Sequence, residues 1–251
     1  MNILYTILFM IGCVILGYLF GSIPSGVIIG KMHGINIRDY GSHNTGGTNV
    51  GRTLGKRAGI LTMVLDGLKC YIPLMIVFLL LNLITGLRNS FIEYSHLDEV
   101  MINLTAFSVM IGHTLPLFAH FKGGKAVSSM AGYIFFMSPI LCVCGALIFF
   151  IMFRISKKIS VCSMVTVSSL FLLSFIPMIL DLTILNDINS FNGGIYFGSE
   201  LNVHLSYVTT IAIFLFAAFI IYRHKANIIR LSKNEEPVTR FENTISRKES
   251  D

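Results

Sequence analysis

Residues 3–30 of this chain contain no Asp, Glu, Lys or Arg. Apolar runs of similar length recur at 59–84, 99–117, 160–180 and 204–222, broken by only a few charges such as Asp66 and Lys69. A helix needs about 20 mostly apolar residues to cross a bilayer. In lipid each backbone N–H and C=O must find its partner within the protein, which a helix achieves alone. Only 13% of the 251 residues are charged, against roughly 25% in an ordinary soluble domain. The chain therefore reads as an all-α integral membrane protein.

Two further apolar segments, 126–137 and 139–153, are divided by Pro139 and read as two short helices of a hairpin. Each is short of the length a straight span needs. With them the count is seven transmembrane helices. In the first span Gly21-Ser22-Ile23-Pro24-Ser25-Gly26 interrupts the helix, because proline removes a backbone donor. The reading there is open between a simple kink and a wall of a site. In the second, Asp66 and Lys69 lie one turn apart and can pair.

The basic residues orient the chain. Loops on one side hold seventeen Lys and Arg: five in 31–57, two in 118–125, three in 154–158 and seven in 223–251. The other side holds Arg88, and Lys69 lies inside a span. By the positive-inside rule the N-terminus is outside and the C-terminus cytoplasmic. The formal charge of +6 is thus topological, and no nucleic-acid partner is expected. Residues 1–231 read as a single transmembrane domain. Residues 232–251, of mixed charge, read as a disordered cytoplasmic tail. The N-terminal run lacks a basic n-region and reads as a retained span. Five cysteines, Cys13, Cys70, Cys142, Cys144 and Cys162, sit in or beside apolar runs without metal-ligand spacing, as small core residues do.

Three polar patches fall on the cytoplasmic side. The first, Gly41 to Arg52, holds four glycines, several hydroxyls, the carboxamides of Asn44 and Asn49, and a closing guanidinium. Exposed backbone amides and an arginine fork suit an anion with several oxygens, above all phosphate. The second is Phe121-Lys122-Gly123-Gly124-Lys125, and the third Tyr222-Arg223-His224-Lys225-Ala226-Asn227. There is no Walker sequence, nucleophile elbow, metal-binding helix or cofactor signature. A cation-rich and amide-rich site at the edge of an apolar scaffold should hold phosphates, one of them on a lipid.

These residues resemble the signatures of bacterial acyl-phosphate-dependent glycerol-3-phosphate acyltransferases. The resemblance lies in Gly41 to Arg52, in Gly112-His113-x-x-Pro116 running into Phe121–Lys125, and in Arg223-His224-x-x-Asn227-Ile228-x-Arg230-Leu231. Gly21-Ser22-Ile23-Pro24 and Asp66-x-x-Lys69 add to it. The resemblance implies a seven-helix enzyme of the cell's inner (plasma) membrane with its active site facing the cytoplasm. It implies acyl transfer from acyl phosphate to the 1-hydroxyl of glycerol 3-phosphate, giving lysophosphatidate and inorganic phosphate, without coenzyme A or another cofactor. Partners would be those two substrates and membrane lipid; a link to the enzyme that forms the acyl phosphate is left open.

It further implies that Ser42, Arg52, Lys125, His224 and Asn227 contact substrate. Gly41, Ser42, Asn44, Gly46, Gly47 and Thr48, with Asn49 beside them, would face the acyl phosphate and its carbonyl. Lys125, assisted by Lys122 and the Gly123–Gly124 turn, would neutralise phosphate. Arg52, His224 and Asn227 would bind glycerol 3-phosphate. The base is either His224 or a substrate phosphate. Ser160 and Ser163 read chiefly as cap and packing residues. Ala126 stands where such enzymes commonly have a further glycine, and its methyl would crowd an amide aimed at phosphate. The competing class is a small transporter or channel for a phosphorylated solute. It predicts internal inverted repeats and cations leading to both faces, and the sequence shows neither.

Overall fold

The computed structural model describes residues 3–83, 97–183 and 206–239. Among them every regular element is helical: α1 (Ile3–Gly21), α2 (Ser25–Met32), α3 (Gly47–Leu54), α4 (Lys56–Leu83), α5 (Leu97–Thr114), α6 (Val127–Met137), α7 (Pro139–Ser156), α8 (Ile159–Thr183), α9 (Tyr207–Arg223) and α10 (Lys225–Ser232). Single 3-10 turns at Ile37–Asp39 and Leu117–Ala119 complete the set. The expected connectors around Arg88 and across 184–205, and the tail from 240, lie outside the described residues.

Among the described residues five helical segments are long and apolar enough to cross a membrane, and six if the bent pair α9 and α10 counts as one. The seventh expected crossing, α6, has only 11 residues. Much of it is enclosed: Met130, Tyr133, Ile134, Phe136 and Met137 are all buried. The hairpin reading needs one correction, since α7 is not short. It runs 18 residues to Ser156, where Lys157 turns left-handed and stops it. Ser138 accepts a hydrogen bond from the Leu141 N–H at 3.2 Å, and Pro139 occupies the first turn, where its missing donor does no harm.

The core gathers around α6. Tyr133 meets the Phe216 ring edge-on at a centroid distance of 5.0 Å, and its hydroxyl donates to Asn103 Oδ1 at 2.6 Å. Helix α1 packs along α5 at backbone contact: a Cβ on Gly21 would lie 2.2 Å from the Val109 carbonyl oxygen. Small residues permit such approach where apolar burial gives no net drive between helices. The outward faces of α1 and α7, with Leu8, Ile15, Leu147 and Ile151, are exposed and apolar, as lipid requires.

The interruption in the first span is a true break, Ser22–Pro24, between α1 and α2. Lys69 Nζ donates to the Ile23 carbonyl at 3.0 Å and pairs with Asp66 Oδ1 at 3.0 Å, both side chains buried. The expected one-turn ion pair is thus present, and it also satisfies backbone freed by the break. Cys13, Cys70 and Cys162 are buried, Cys142 and Cys144 half-buried, and all five are free thiols.

Candidate active site

One end of the bundle gathers the first, second and third patches around a single cavity of about 1480 Å³. Its mouth is lined by Gly41, Ser42, Asn44, Gly46, Gly47, Thr48, Asn49, Arg52, Lys125, His224 and Asn227. Its apolar wall is formed by Leu68 and Tyr71 on α4, Phe135 on α6, Phe149 on α7 and Leu170 on α8. Lys122, Gly123 and Gly124 do not line it.

The first loop is fixed from within. Asn49 Oδ1 accepts the Ser42 N–H at 2.8 Å, while its Nδ2 donates to the carbonyls of Ile37 at 3.2 Å and Tyr40 at 3.0 Å. That carboxamide frames the loop, where the sequence suggested substrate contact. Gly41 is left-handed (φ +60), and a Cβ there would lie 2.3 Å from Asn49 Oδ1, so glycine is required twice over. Asn44 Oδ1 accepts the Gly46 N–H at 2.9 Å. The amides of Ser42 and Gly46 are therefore engaged. Those of Gly47 and Thr48, in the first turn of α3, are the donors a helix leaves for an outside acceptor.

The second patch is stitched to its neighbours. Arg38 donates to the carbonyls of Ala119 at 2.8 Å and Lys122 at 2.5 Å. Gly123 and Gly124 donate their own N–H groups to the Thr114 and His113 carbonyls at 3.2 and 3.0 Å. The sequence expects a phosphate-facing role for the Gly123–Gly124 turn; its amides cap the end of α5. Ala126 is left-handed (φ 63) and fully buried. The strain of a methyl in that conformation, about 1–2 kcal/mol, is reason enough to prefer glycine there; crowding of a phosphate-facing amide need not be invoked.

His224 sits at the elbow of about 58° between α9 and α10. Its Nδ1 lies 2.8 Å from the Ile220 carbonyl and must carry the proton, which leaves a lone pair on Nε2. Burial pulls its pKa down to about 4, so the ring is neutral at pH 7. Asn227, in the first turn of α10, accepts from Lys125 Nζ at 2.6 Å. Burial pulls Lys125 down to about 8; Glu236 opposes this, and Arg230, Arg52 and Arg223 add to it.

Sequence reasoning missed Glu236. The chain leaving α10 turns back, and Glu236 enters the site buried. Its carboxylate accepts from Ser160 at 2.7 Å, Asn227 at 2.8 Å and Arg230 at 2.8 Å. Burial pushes its pKa up, but these three bonds and the Arg230 charge outweigh that and hold it below the usual carboxylate value. Thr239, nearby, accepts from Arg52 Nη2 at 2.8 Å. The sequence signal was slight: a Glu-Glu-Pro run straight after a basic helix. Asp66, His113, Ser160 and Ser163 also line the cavity. The arrangement can hold oxyanions at its mouth and an alkyl chain along its apolar wall. Among the described residues no cluster of His, Cys, Asp and Glu could hold a metal.

The family model described as glycerol-3-phosphate acyltransferase matches residues 11–234. The glycerol-3-phosphate acyltransferase of Bacillus subtilis (strain 168) is 35% identical over 229 residues, which cover 91% of this chain and 96% of that protein. A crystal structure of PlsY (YgiH), an integral membrane glycerol 3-phosphate acyltransferase, in its glycerol 3-phosphate form superposes with a TM-score of 0.69 at 29% identity, covering 91% of this chain and 94% of that one. The same protein's lysophosphatidic acid form gives a TM-score of 0.68 at 29% identity, over 93% and 96%.

Proposed function

Because the chain belongs to the glycerol-3-phosphate acyltransferase family, we propose that it moves a fatty acyl group from acyl phosphate to the 1-hydroxyl of sn-glycerol 3-phosphate. The products are lysophosphatidate and inorganic phosphate, and the reaction is the first step of phospholipid synthesis. The observation that carries this reading is the single cavity that joins a cationic, amide-lined mouth to an apolar groove. That shape suits an amphiphilic donor beside a small phosphorylated acceptor. Family membership also sets aside the transporter reading.

In this reading the Gly47 and Thr48 amides, the Ser42 hydroxyl and Asn44 face the acyl phosphate and the oxyanion that develops at its carbonyl. Arg52 and Asn227 hold glycerol 3-phosphate, placing its hydroxyl against the carbonyl carbon. Lys125 neutralises the charge that develops on the departing phosphate. The hydroxyl attacks, the C–O bond to phosphate breaks, and phosphate leaves with its electron pair. His224 Nε2 accepts a hydrogen bond from the attacking hydroxyl and orients it. The proton goes to the departing phosphate, since a phosphate with a second pKa of about 6 is a better acceptor than an imidazole held near 4. The chain crosses the inner membrane seven times, with α6 as the short crossing, the N-terminus outside and the site facing the cytoplasm. The charge asymmetry of the sequence supports that orientation.

Purified protein in detergent, given acyl phosphate and labelled glycerol 3-phosphate, is expected to form lysophosphatidate without added metal or coenzyme A. Product only from an acyl-coenzyme A donor would overturn the choice of donor; no product from either would overturn the activity.

The rate should also follow the charge on Lys125. Its proton is present below pH about 8 and lost above it, so kcat/KM is expected to fall on the alkaline side of 8. Glu236→Gln removes the negative charge that holds that proton, and should move this limb to lower pH. Initial rates between pH 6 and pH 10 (roughly four decades of proton activity, ample to resolve a titration) check both. A wild-type profile flat to the upper end excludes Lys125 as the controlling charge.

A further inference from the structure

We propose that His113 is a positioning residue for Lys125: its imidazole is the shelf on which Gly124 rests, and position 124 is glycine because no side chain fits between them. The proposal rests on the reading of Lys125 as a substrate-holding cation.

The geometry is specific to the ring. A Cβ built on Gly124 would lie 2.1 Å from His113 Nε2, 2.9 Å from Cε1 and 3.1 Å from Cδ2, and these are its three nearest atoms. Gly124 does not have a positive φ, so backbone conformation does not call for glycine there. Gly123 is different. Its nearest obstacle is the His113 carbonyl oxygen at 2.0 Å, followed by Pro116 Cδ and the Thr114 carbonyl. The turn is therefore pinned twice, by backbone at Gly123 and by a side chain at Gly124.

On its other side the imidazole faces a buried carboxylate. His113 is buried in the last turn of α5, with Nδ1 at 3.7 Å from Asp66 Oδ1 and no hydrogen-bond partner of its own. Asp66 is fixed by Lys69, and Lys69 by the Ile23 carbonyl in the broken first span. This buried chain ends one residue before Lys125, whose Nζ reaches Asn227 at 2.6 Å. The height of the turn over the ring thus sets how far Lys125 extends into the cavity. A displacement of about 1 Å at a substrate-holding group can cost on the order of 100-fold in rate.

The test is a compensating pair. Gly124→Ala should lower kcat/KM on the order of 100-fold, because the new methyl strikes the ring and lifts the turn. His113→Ala alone loses the shelf and should cost about tenfold, less than a full misplacement. In the double variant the methyl occupies the vacated space, and kcat/KM should rise about tenfold above Gly124→Ala, to the level of His113→Ala. The alkaline limb set by Lys125 should shift in Gly124→Ala and return in the pair. Gly123→Ala, which meets backbone, should gain nothing from His113→Ala. Thermal unfolding of each variant in detergent reads the same clash without activity: Gly124→Ala should lower Tm, and His113→Ala should restore it.

If Gly124→Ala does not fold but the pair folds and turns over, the shelf is supported. A pair no better than Gly124→Ala in both rate and Tm, or equal rescue of Gly123→Ala, overturns it. Wild-type protein without acyl transfer would instead refute the functional reading, and the Tm comparison would still decide the packing.

Discussion

Replacing Lys125 by methionine is expected to lower kcat/KM by roughly 100- to 1,000-fold, the range found when a single pre-aimed donor to developing charge is removed. Methionine keeps most of the side chain's length and apolar stem but carries no charge, so packing is little disturbed. Lys125 is the one cation of the Gly-Gly-Lys turn that lines the cavity; Lys122 does not. Its neighbours are chosen for it. Asn227 accepts its ammonium at 2.6 Å, and the Glu236 charge opposes the loss of its proton. Lys125→Arg should recover only part of the rate, because a planar guanidinium cannot take the place of a compact ammonium against Asn227 in a buried pocket. Initial rates at saturating acyl phosphate, on protein with an unchanged unfolding transition, decide the matter. Activity of Lys125→Met within tenfold of wild type would remove Lys125 from the site.

Much of this architecture was legible from the residues. Long uncharged runs permit only helices in lipid, and Pro24, set between Gly21 and Gly26, marks an interruption of the first span. Asp66 and Lys69 are spaced one turn apart, so their pairing follows from helix geometry. The set Ser42, Arg52, Lys125, His224 and Asn227 was readable from the family resemblance, and charge asymmetry put their loops on one side. Other features depend on contacts that no local pattern encodes. Gly123 and Gly124 look like a phosphate turn, yet their amides belong to the carbonyls at the end of α5. Asn49 looks like a ligand and is a frame. Glu236 lies in a stretch whose composition suggests disorder, and it is ordered by Ser160, Asn227 and Arg230, partners from α8 and α10. The extent of α7 was missed because its end is set by a left-handed Lys157, a residue with no special preference for that conformation.

The largest stability effect is expected at Asp66. Asp66→Ala leaves Lys69 as a buried cation that donates to the Ile23 carbonyl at 3.0 Å but has lost its counter-charge. Removing one partner of a buried ion pair costs about 3–5 kcal/mol, mostly from the charge left behind. The damage should spread beyond the pair, because Lys69 caps the break in the first span and Asp66 backs His113. If the stranded charge is the cause, Lys69→Met on top of Asp66→Ala should recover more than half of the loss, even though the double variant has fewer polar contacts than either single one. Asp66→Asn should fall between, since a carboxamide accepts a hydrogen bond from Lys69 but supplies no counter-charge. Unfolding in detergent, followed for wild type, the three single variants and the double, gives the coupling directly. Two losses that simply add would show that Asp66 and Lys69 act apart. In that case Lys69 would hold the α1–α2 break through the Ile23 carbonyl without help from Asp66.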